Sequence, residues 1–263
     1  MQRNLKLTIA YDGSEFRGWQ VQPGLPTVQG TLAEVIGRVT GEKVLPQGSG
    51  RTDTGVHAIA QVATFTTYSP IPEEKLKIVL NDRLPPSIRI LAVERAPESF
   101  HARHSAHGKT YRYRIFRGGI VPPFLWRYVT HYPYPLDEDA MALAAGYVLG
   151  EHDFTSFAAV DPDRQQRSAA PLAEGSELMV KHATNIRTIH QSEWRRDGEE
   201  LVYTVHGNGF LHHMVRNLVG TFLLAGKGTL APADIPRILE ARDRSAAGAT
   251  APAEGLYLVS VDY

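Results

Sequence analysis

The sequence lacks cysteine altogether, has no long apolar run and carries no excess charge of either sign. Without cysteine it forms no disulfide and holds no thiolate-ligated zinc or iron–sulfur cluster. No stretch approaches the roughly 20 apolar residues of a membrane-spanning helix, so we expect no membrane association. The opening MQRNLKLTIAYDG places charges inside its apolar run, unlike a secretory signal. These features together predict a cytoplasmic protein.

The distribution of charge is more informative than its total. The 263 residues include 28 Lys and Arg and 28 Asp and Glu, and a neutral total argues against a nucleic-acid-binding protein. Residues 99–136 and 201–233, however, contain no acidic residue at all. Their Lys and Arg residues are Arg103, Lys109, Arg112, Arg114, Arg117, Arg127, Arg216 and Lys227. Either an anionic partner lies across both stretches, or they are solvated or sheet-buried segments.

The first part of the chain predicts alternating strands and helices. The alternation in LKLTIAYDG indicates a half-buried strand. The spacing in TVQGTLAEVIGRVTG indicates a helix, with Thr27 capping its start and Gly41 its end. IAQVATFTT indicates a strand, IPEEKLKIVLNDRL a helix opened by Pro72, and SIRILAVERA a further strand. With a short extended segment at EKVLPQ, the order is the β-α-β-β-α-β pattern of a ferredoxin-like fold.

A second round of similar elements follows. GKTYRYRIFRG predicts a strand and DEDAMALAAGYVLGEHDF a helix. Two strands then flank a turn at Arg196–Gly198, and FLHHMVRNLVGTFLLAGKG predicts a helix with Phe210 on its apolar face. DIPRILEAR predicts a shorter helix, and GLYLVSVDY a closing strand. We therefore predict an α+β protein with halves 1–104 and 105–263, the second containing a long loop or insertion at 158–183.

The stretch GSGRTDTGVHA, Gly48 to Ala58, is the strongest candidate for chemistry. Its glycine spacing matches neither phosphate-binding motif, and no clear helix follows it. A metal site is not expected, because Asp53 and His57 have no second carboxylate nearby and His212 and His213 would diverge by about 100° on a helix. An ionised Asp53 paired with a nearby cation is a nucleophile. The alternative is a turn whose surface ion pair contributes under about 1 kcal/mol.

Six blocks in the same order resemble one enzyme family, the tRNA pseudouridine synthases I (TruA). GSGRTDTGVHA resembles its catalytic motif, and the others are YDGSEFRGWQVQP…TVQGTLAEVI, KTYRYRIF, LGEHDFTSF, NGFLHHMVRNLVG and APAEGLYL. The resemblance implies an isomerase that converts uridines 38, 39 and 40 of the tRNA anticodon arm to pseudouridine, without a cofactor and as a homodimer. It also implies two ferredoxin-like (RRM-like) halves, with their sheets joined side by side and a central active-site cleft.

The resemblance assigns roles to individual residues. Asp53 matches the catalytic aspartate, and Arg51 the arginine that pairs with it and helps to hold the flipped base. Tyr111 matches the tyrosine that stacks on the uracil, and Leu256 an apolar residue of the same pocket. From its position in the second acid-free stretch, Arg216 is predicted to contact a phosphate. Whether Asp53 attacks C1′ or C6, or abstracts the 2′-proton, stays open.

Several assignments also stay open. Tyr111 is a candidate for the base that removes the C5 proton, but an ordinary phenol pKa near 10 favours stacking. Arg112 and Arg114, on the other strand face, are predicted either to bind the RNA backbone or to be solvated. A non-catalytic RNA-binding module and an aspartate-dependent hydrolase are the rival functions. The first lacks an RNP-type motif, and the second lacks a second carboxylate or metal in the motif.

Overall fold

The computed structural model describes residues 1–160 and 184–263. Beyond residue 160, the insertion predicted at 158–183 lies outside the described residues. The chain divides into a first compact unit, residues 1–112, 122–130 and 253–263, and a second, residues 113–121 and 131–252. These bounds differ from the predicted halves 1–104 and 105–263, because the last strand belongs to the first unit. Among the described helices, none has the length and apolar character to cross a membrane.

The first unit contains a mixed sheet with two helices. Its elements are β1 (Arg3–Tyr11), α1 (Val28–Thr40), β2 (Gln47–Gly48), β3 (His57–Thr67), α2 (Glu73–Arg83), β4 (Ile88–Ala96) and the last strand, β10 (Leu256–Asp262). β1 lies between β4 and β3 and is antiparallel to both. One edge of β3 pairs with β2 near its end and, in parallel, with β10 at its beginning. The two pairings together position the segment between β2 and β3.

Local sequence accounts for the elements of the first unit. In β1, Leu5, Leu7 and Ile9 are fully buried, as the alternation predicts. The N-cap prediction is confirmed, because the Thr27 side chain accepts a hydrogen bond from the Gly30 N–H. Gly41 ends α1 with a φ of 76°, which glycine adopts without steric cost. The buried apolar residues of the helix are Val28, Leu32, Val35 and Ile36.

The second unit contains an antiparallel sheet and three helices among its described residues. Its elements are the end of β5 (Gly108–Phe116), which starts in the first unit, β6 (Thr130–His131) at the boundary, α3 (Glu138–Gly146), β7 (Gly150–Asp153), β8 (Ile186–Asp197), β9 (Glu200–Gly207), α4 (Met214–Gly226) and α5 (Ile235–Ala241). β8 pairs with β7 and with β9. The hairpin predicted around Arg196–Gly198 is present, but its turn lies at residues 198–199 because Asp197 still pairs with Glu200, and Gly198 has a φ of 57°.

Two helix predictions in the second unit were wrong in extent. The first predicted helix ends at Gly146, because Gly150 has a φ of 93° and residues Gly150–Asp153 pair with β8 as a strand. The other begins at Met214 and not at Phe210, because His213 has a φ of 59°, a left-handed conformation that interrupts a helix. Phe210 and the two histidines His212 and His213 therefore precede α4.

Asn217 organises polar groups inside the second unit. Its side chain is fully buried in α4 and donates from Nδ2 to the Phe157 carbonyl at 2.7 Å. Its Oδ1 accepts from Thr250 at 2.7 Å and from the Arg244 guanidinium at 3.0 Å. Buried polar groups are costly when left without partners, so this amide joins α4 to two neighbouring segments.

We expect Asn217→Ala to lower the free energy of unfolding by about 3 kcal/mol, because the Phe157 carbonyl loses this donor and the Thr250 hydroxyl and Arg244 guanidinium lose an acceptor. Thr250→Val is the control, since it removes one of these bonds at nearly constant shape and should cost about 1 kcal/mol. Urea denaturation measures both. Equal losses in the two variants would contradict a central role for the amide.

Candidate active site

The segment that leads to Asp53 is fixed by hydrogen bonds to buried side chains. Ser49 donates from Oγ to Gln61 Oε1 at 2.6 Å, and Gln61 donates from Nε2 to the Gly50 carbonyl at 3.0 Å. Lys109 on β5 donates from Nζ to the Ser49 carbonyl at 2.7 Å. The backbone before Arg51 is therefore held from β3 and from β5.

A second segment, residues 12–19, supports the backbone around Asp53. Trp19 donates its N–H to the Thr52 carbonyl at 3.0 Å. Within the loop itself, the Val56 N–H donates to the Asp53 carbonyl at 3.1 Å. The buried Thr52 hydroxyl is 2.8 Å from the Tyr11 hydroxyl. A Cβ on Gly18 would lie 2.6 Å from the Thr52 carbonyl oxygen and 3.2 Å from the Asp53 carbonyl carbon. Only glycine permits this close approach, and Gly18 also has a φ of 85°.

The loop turns its residues alternately inward and outward. Thr52 is buried, Asp53 is half-buried and Arg51 is exposed. Asp53 is thus partly exposed to solvent while its backbone is held by neighbouring segments. This combination of a held backbone and a partly exposed aspartate suits a reacting group better than a surface turn.

Tyr111 lies in the same unit as Asp53 and interacts with it. Its side chain on β5 is only 7% exposed. Burial raises the pKa of the Tyr111 phenol, and the nearby Tyr11 and the negative charge of Asp53 raise it further. The phenol is therefore neutral at physiological pH. The structure brings these two predicted residues together.

Leu256 and Arg216 occupy different surroundings. Leu256 begins β10 with 6% exposure, and the next residue, Tyr257, pairs with His57, four residues after Asp53. Arg216 lies in the second unit, half-buried on α4, and donates from Nε to the Ala251 carbonyl at 2.7 Å. The Nε–H of Arg216 is therefore used in a hydrogen bond within the second unit.

The basic residues of the first acid-free stretch do not act as one group. Arg112 is exposed, but Arg114 makes a two-pronged ion pair with Glu200, at 2.7 and 2.6 Å, within the second unit. Arg114 is therefore only partly solvated, and its contact with the RNA backbone stays a prediction. Burial lowers the pKa of His101 and of His104, and the charge of Arg103 adds to this effect. The two imidazoles are uncharged at neutral pH.

A cluster around His57 was missed by the sequence analysis. Asp12, His57 and Tyr128 come from separate segments of the first unit and form hydrogen bonds or close ring contacts. The available signal was the position of Asp12 in YDG, at a strand end, and of His57 in GVHA. Neither motif indicates that the two residues meet, because 44 residues separate them.

We expect Gly18→Ala to be more destabilising than Gly24→Ala. Both glycines have positive φ, 85° and 72°, so both variants pay a similar backbone cost. A Cβ at Gly24 meets nothing within 4 Å, whereas at Gly18 it meets the backbone of Thr52 and Asp53. The loss of unfolding free energy should therefore be about 1–3 kcal/mol greater for Gly18→Ala. Denaturant titration measures this difference, and equal losses would refute the close packing.

Comparison with known proteins identifies close relatives. Residues 7–105 and 144–263 match a family model described as tRNA pseudouridine synthase. The tRNA pseudouridine synthase A of Solibacter usitatus is 50% identical over 261 residues, covering 99% of this chain and 100% of that protein. The tRNA pseudouridine synthase A of Caldicellulosiruptor bescii is 44% identical over 261 residues, with the same coverage.

A solved structure, described as the archaeal box H/ACA sRNP Nop10-Cbf5 complex, shows a much weaker likeness. It has 14% sequence identity and a TM-score of 0.33, and the match covers 84% of this chain and 43% of that one. A likeness of this size transfers no residue role.

Proposed function

This chain belongs to the tRNA pseudouridine synthase family, and we propose that it isomerises uridine to pseudouridine in tRNA with Asp53 as the catalytic group. The observation that carries the assignment of Asp53 is its geometry. The residue is partly exposed to solvent, its backbone is held by the 12–19 segment, and its charge acts on the buried Tyr111. A surface turn needs none of these features.

The reaction exchanges one bond for another within the same nucleoside. The N1–C1′ bond breaks, a C5–C1′ bond forms, the C5 proton leaves to solvent and N1 gains a proton. Nothing is oxidised or reduced, so the balance needs no cofactor. Asp53 starts the sequence by attacking C1′ or C6, or by abstracting the 2′-proton. The target base must first leave the stack, which costs a few kcal/mol.

We assign Tyr111 to stacking on the flipped uracil. Stacking on an aromatic ring contributes about 1–3 kcal/mol per base. The raised pKa of Tyr111 makes its phenolate scarce at neutral pH, which disfavours the role of general base for the C5 proton. Leu256, close in sequence to the residue that pairs with His57, is proposed to provide apolar contact to the same base.

The remaining assignments concern the RNA. Arg51, exposed beside Asp53, is proposed to pair with the carboxylate and to help hold the flipped nucleotide. Arg216 is proposed to contact a phosphate. We propose uridines 38, 39 and 40 of the anticodon arm as targets and a cytoplasmic homodimer as the working form. Acting on neighbouring positions implies recognition by shape and backbone.

We also propose that both halves, 1–104 and 105–263, are ferredoxin-like. In the first, β1, α1, β2, β3, α2 and β4 follow the β-α-β-β-α-β order, and the antiparallel pairs β1–β3, β1–β4 and β2–β3 support it. In the second, β5, α3, β8, β9, α4 and β10 follow the same order along the chain, with β7 and α5 as additions.

Asp53→Asn is expected to lower the release of tritium from 5-tritiated uridine in unmodified tRNA by at least about a thousandfold, because the amide keeps the size of the side chain but is no nucleophile. Binding to the same tRNA, measured by filter retention, should be nearly unchanged. Asp82→Asn, an exposed aspartate on α2, is the control and should release tritium like the wild type.

The outcomes separate the rival functions. If neither the wild type nor Asp53→Asn releases tritium although both bind tRNA, the chain is a non-catalytic RNA-binding module. If the wild type instead hydrolyses phosphate esters and needs added magnesium, it is an aspartate-dependent hydrolase.

Tyr111→Phe and Tyr111→Leu together test the stacking role. Phenylalanine keeps the aromatic ring, so tritium release should stay within about threefold of wild type, whereas leucine removes the stack and should lower it by about tenfold or more. Single-turnover tritium release measures both rates. A loss as large for phenylalanine as for leucine would show that the hydroxyl takes part in the reaction.

A further inference from the structure

His57 lies at the centre of a buried cluster just after the Asp53 loop. It is the first residue of β3 and is 2% exposed. The Tyr257 ring stacks on its imidazole at a centroid distance of 4.8 Å, and the Tyr128 ring lies at 5.4 Å. The proposed chemistry uses none of these three side chains.

Two backbone contacts of the imidazole indicate which nitrogen carries the proton in the neutral ring. Nδ1 is 3.1 Å from the backbone N–H of Gly13, which can only donate, so Nδ1 is the acceptor. Nε2 is 3.0 Å from the carbonyl of Arg127, which can only accept, so Nε2 carries the hydrogen. This pair of contacts fits the neutral ring with its proton on Nε2.

The carboxylate of Asp12 lies where it would stabilise the protonated form of His57. Asp12 Oδ1 is 3.2 Å from Nδ1 and also accepts from the Ser14 N–H and hydroxyl, while Oδ2 accepts from the Tyr128 hydroxyl at 2.9 Å. A proton on Nδ1 would exchange the bond from Gly13 for an ion pair with Asp12. Burial lowers the pKa of His57, although the charge of Asp12 opposes it.

The other charged or titratable groups near His57 interact mainly with partners other than its imidazole. The Arg127 guanidinium pairs with Glu15 at 3.4 Å, and Glu254 faces His57 through its backbone carbonyl. Hydrogen bonding to Asp12 raises the pKa of the Tyr128 phenol, so Tyr128 stays neutral, and the Tyr257 hydroxyl donates to the Tyr128 carbonyl. Asp12 is therefore the carboxylate whose charge the imidazole senses most directly.

The bond from Gly13 connects this cluster to Asp53. A Cβ on Gly13 would lie 2.0 Å from the Val56 carbonyl oxygen, so residue 13 packs directly on the loop. Three residues on, the Phe16 carbonyl accepts from the Gly55 N–H at 3.4 Å, and Trp19 then donates to Thr52. The 12–19 segment therefore contacts the loop of Asp53 at three points, through Gly13, Phe16 and Trp19. The hydrogen bond from Gly13 to His57 fixes the first of them.

We infer that His57, as the neutral imidazole protonated on Nε2, is a positioning residue that holds Asp53 in its reactive place through Gly13 and the 12–19 segment. This inference rests on the proposed function for its catalytic consequence. Protonation of His57 withdraws the acceptor from Gly13 and moves the contact of the ring to Asp12, which shifts Gly13 away from the position that packs on the Asp53 loop. Activity should therefore fall as the pH drops below about 6.5, the ordinary pKa of histidine, with a midpoint displaced to lower pH.

Two substitutions divide the functions of the ring. In His57→Asn the amide oxygen takes the place of Nδ1 and can accept from Gly13. In His57→Gln the amide nitrogen takes the place of Nε2 and can donate to Arg127, while Gly13 loses its acceptor. We expect kcat for tritium release to fall about tenfold to a hundredfold in His57→Gln but only a few-fold in His57→Asn, with KM for tRNA unchanged in both. The acid limb assigned to His57 should be absent from both pH profiles.

Hydrogen exchange of the Trp19 and Val56 amides supplies a readout without RNA. Both amides bond to the Asp53 loop, so their exchange should be faster in His57→Gln than in His57→Asn and, in the wild type, faster below the midpoint of the acid limb. A purely structural role predicts that the kcat loss in each variant simply follows its unfolded fraction, and this result would overturn the inference. So would an unchanged acid limb in both variants.

Failure of the proposed function would be recognised separately. It appears as absence of tritium release from the wild type itself, at every pH. The amide exchange still decides the inference in that case: unequal exchange in the two variants supports positioning of Asp53, and equal exchange refutes it.

Discussion

The close packing of the 12–19 segment against the backbone of residues 52–56 is the constraint on which the site depends. A carboxylate that is proposed to react with a large substrate cannot be held by burial of its own side chain. Here it is held through its backbone, by N–H groups of Trp19 and Val56 and by the absence of side chains at Gly13 and Gly18. Gly13 and Gly18 thus act as contact surfaces for the loop of Asp53. Because these two glycines have no side chain, the backbone atoms of the loop can approach them closely.

Much of the fold and one part of the site could be predicted from the sequence. The alternation of Leu5, Leu7 and Ile9 and the cap at Thr27 are local signals, and the structure has both. Asp53 stood out because one carboxylate among glycines is unusual. The extents of two helices were predicted wrongly, since the conformations at Gly150 and His213 depend on tertiary packing that periodicity does not report.

The network behind Asp53 could not be predicted, because its members are distant in sequence. Asp12, His57, Tyr128 and Tyr257 are ordinary residues in their local contexts and become a cluster only when β1, β3 and β10 are assembled. The pairing of Arg114 with Glu200 has the same origin. An acid-free stretch of sequence reports only on its own residues, and a carboxylate from another strand can neutralise its charge. An acid-free stretch of sequence therefore overstates how much positive charge remains unpaired on the surface of the folded protein.

The parallel pairing of β10 with the start of β3 has a consequence for biosynthesis. Tyr257 pairs with His57, so about two hundred residues must be made between the two partners. A ribosome releases the chain from its N-terminus, and the strands β1, β3 and β4 can associate early. β10 supplies the parallel pairing partner at the start of β3 and the tyrosine ring that stacks on His57. The segment that carries Asp53 therefore gains these contacts only after β1, β3 and β4 have all been made.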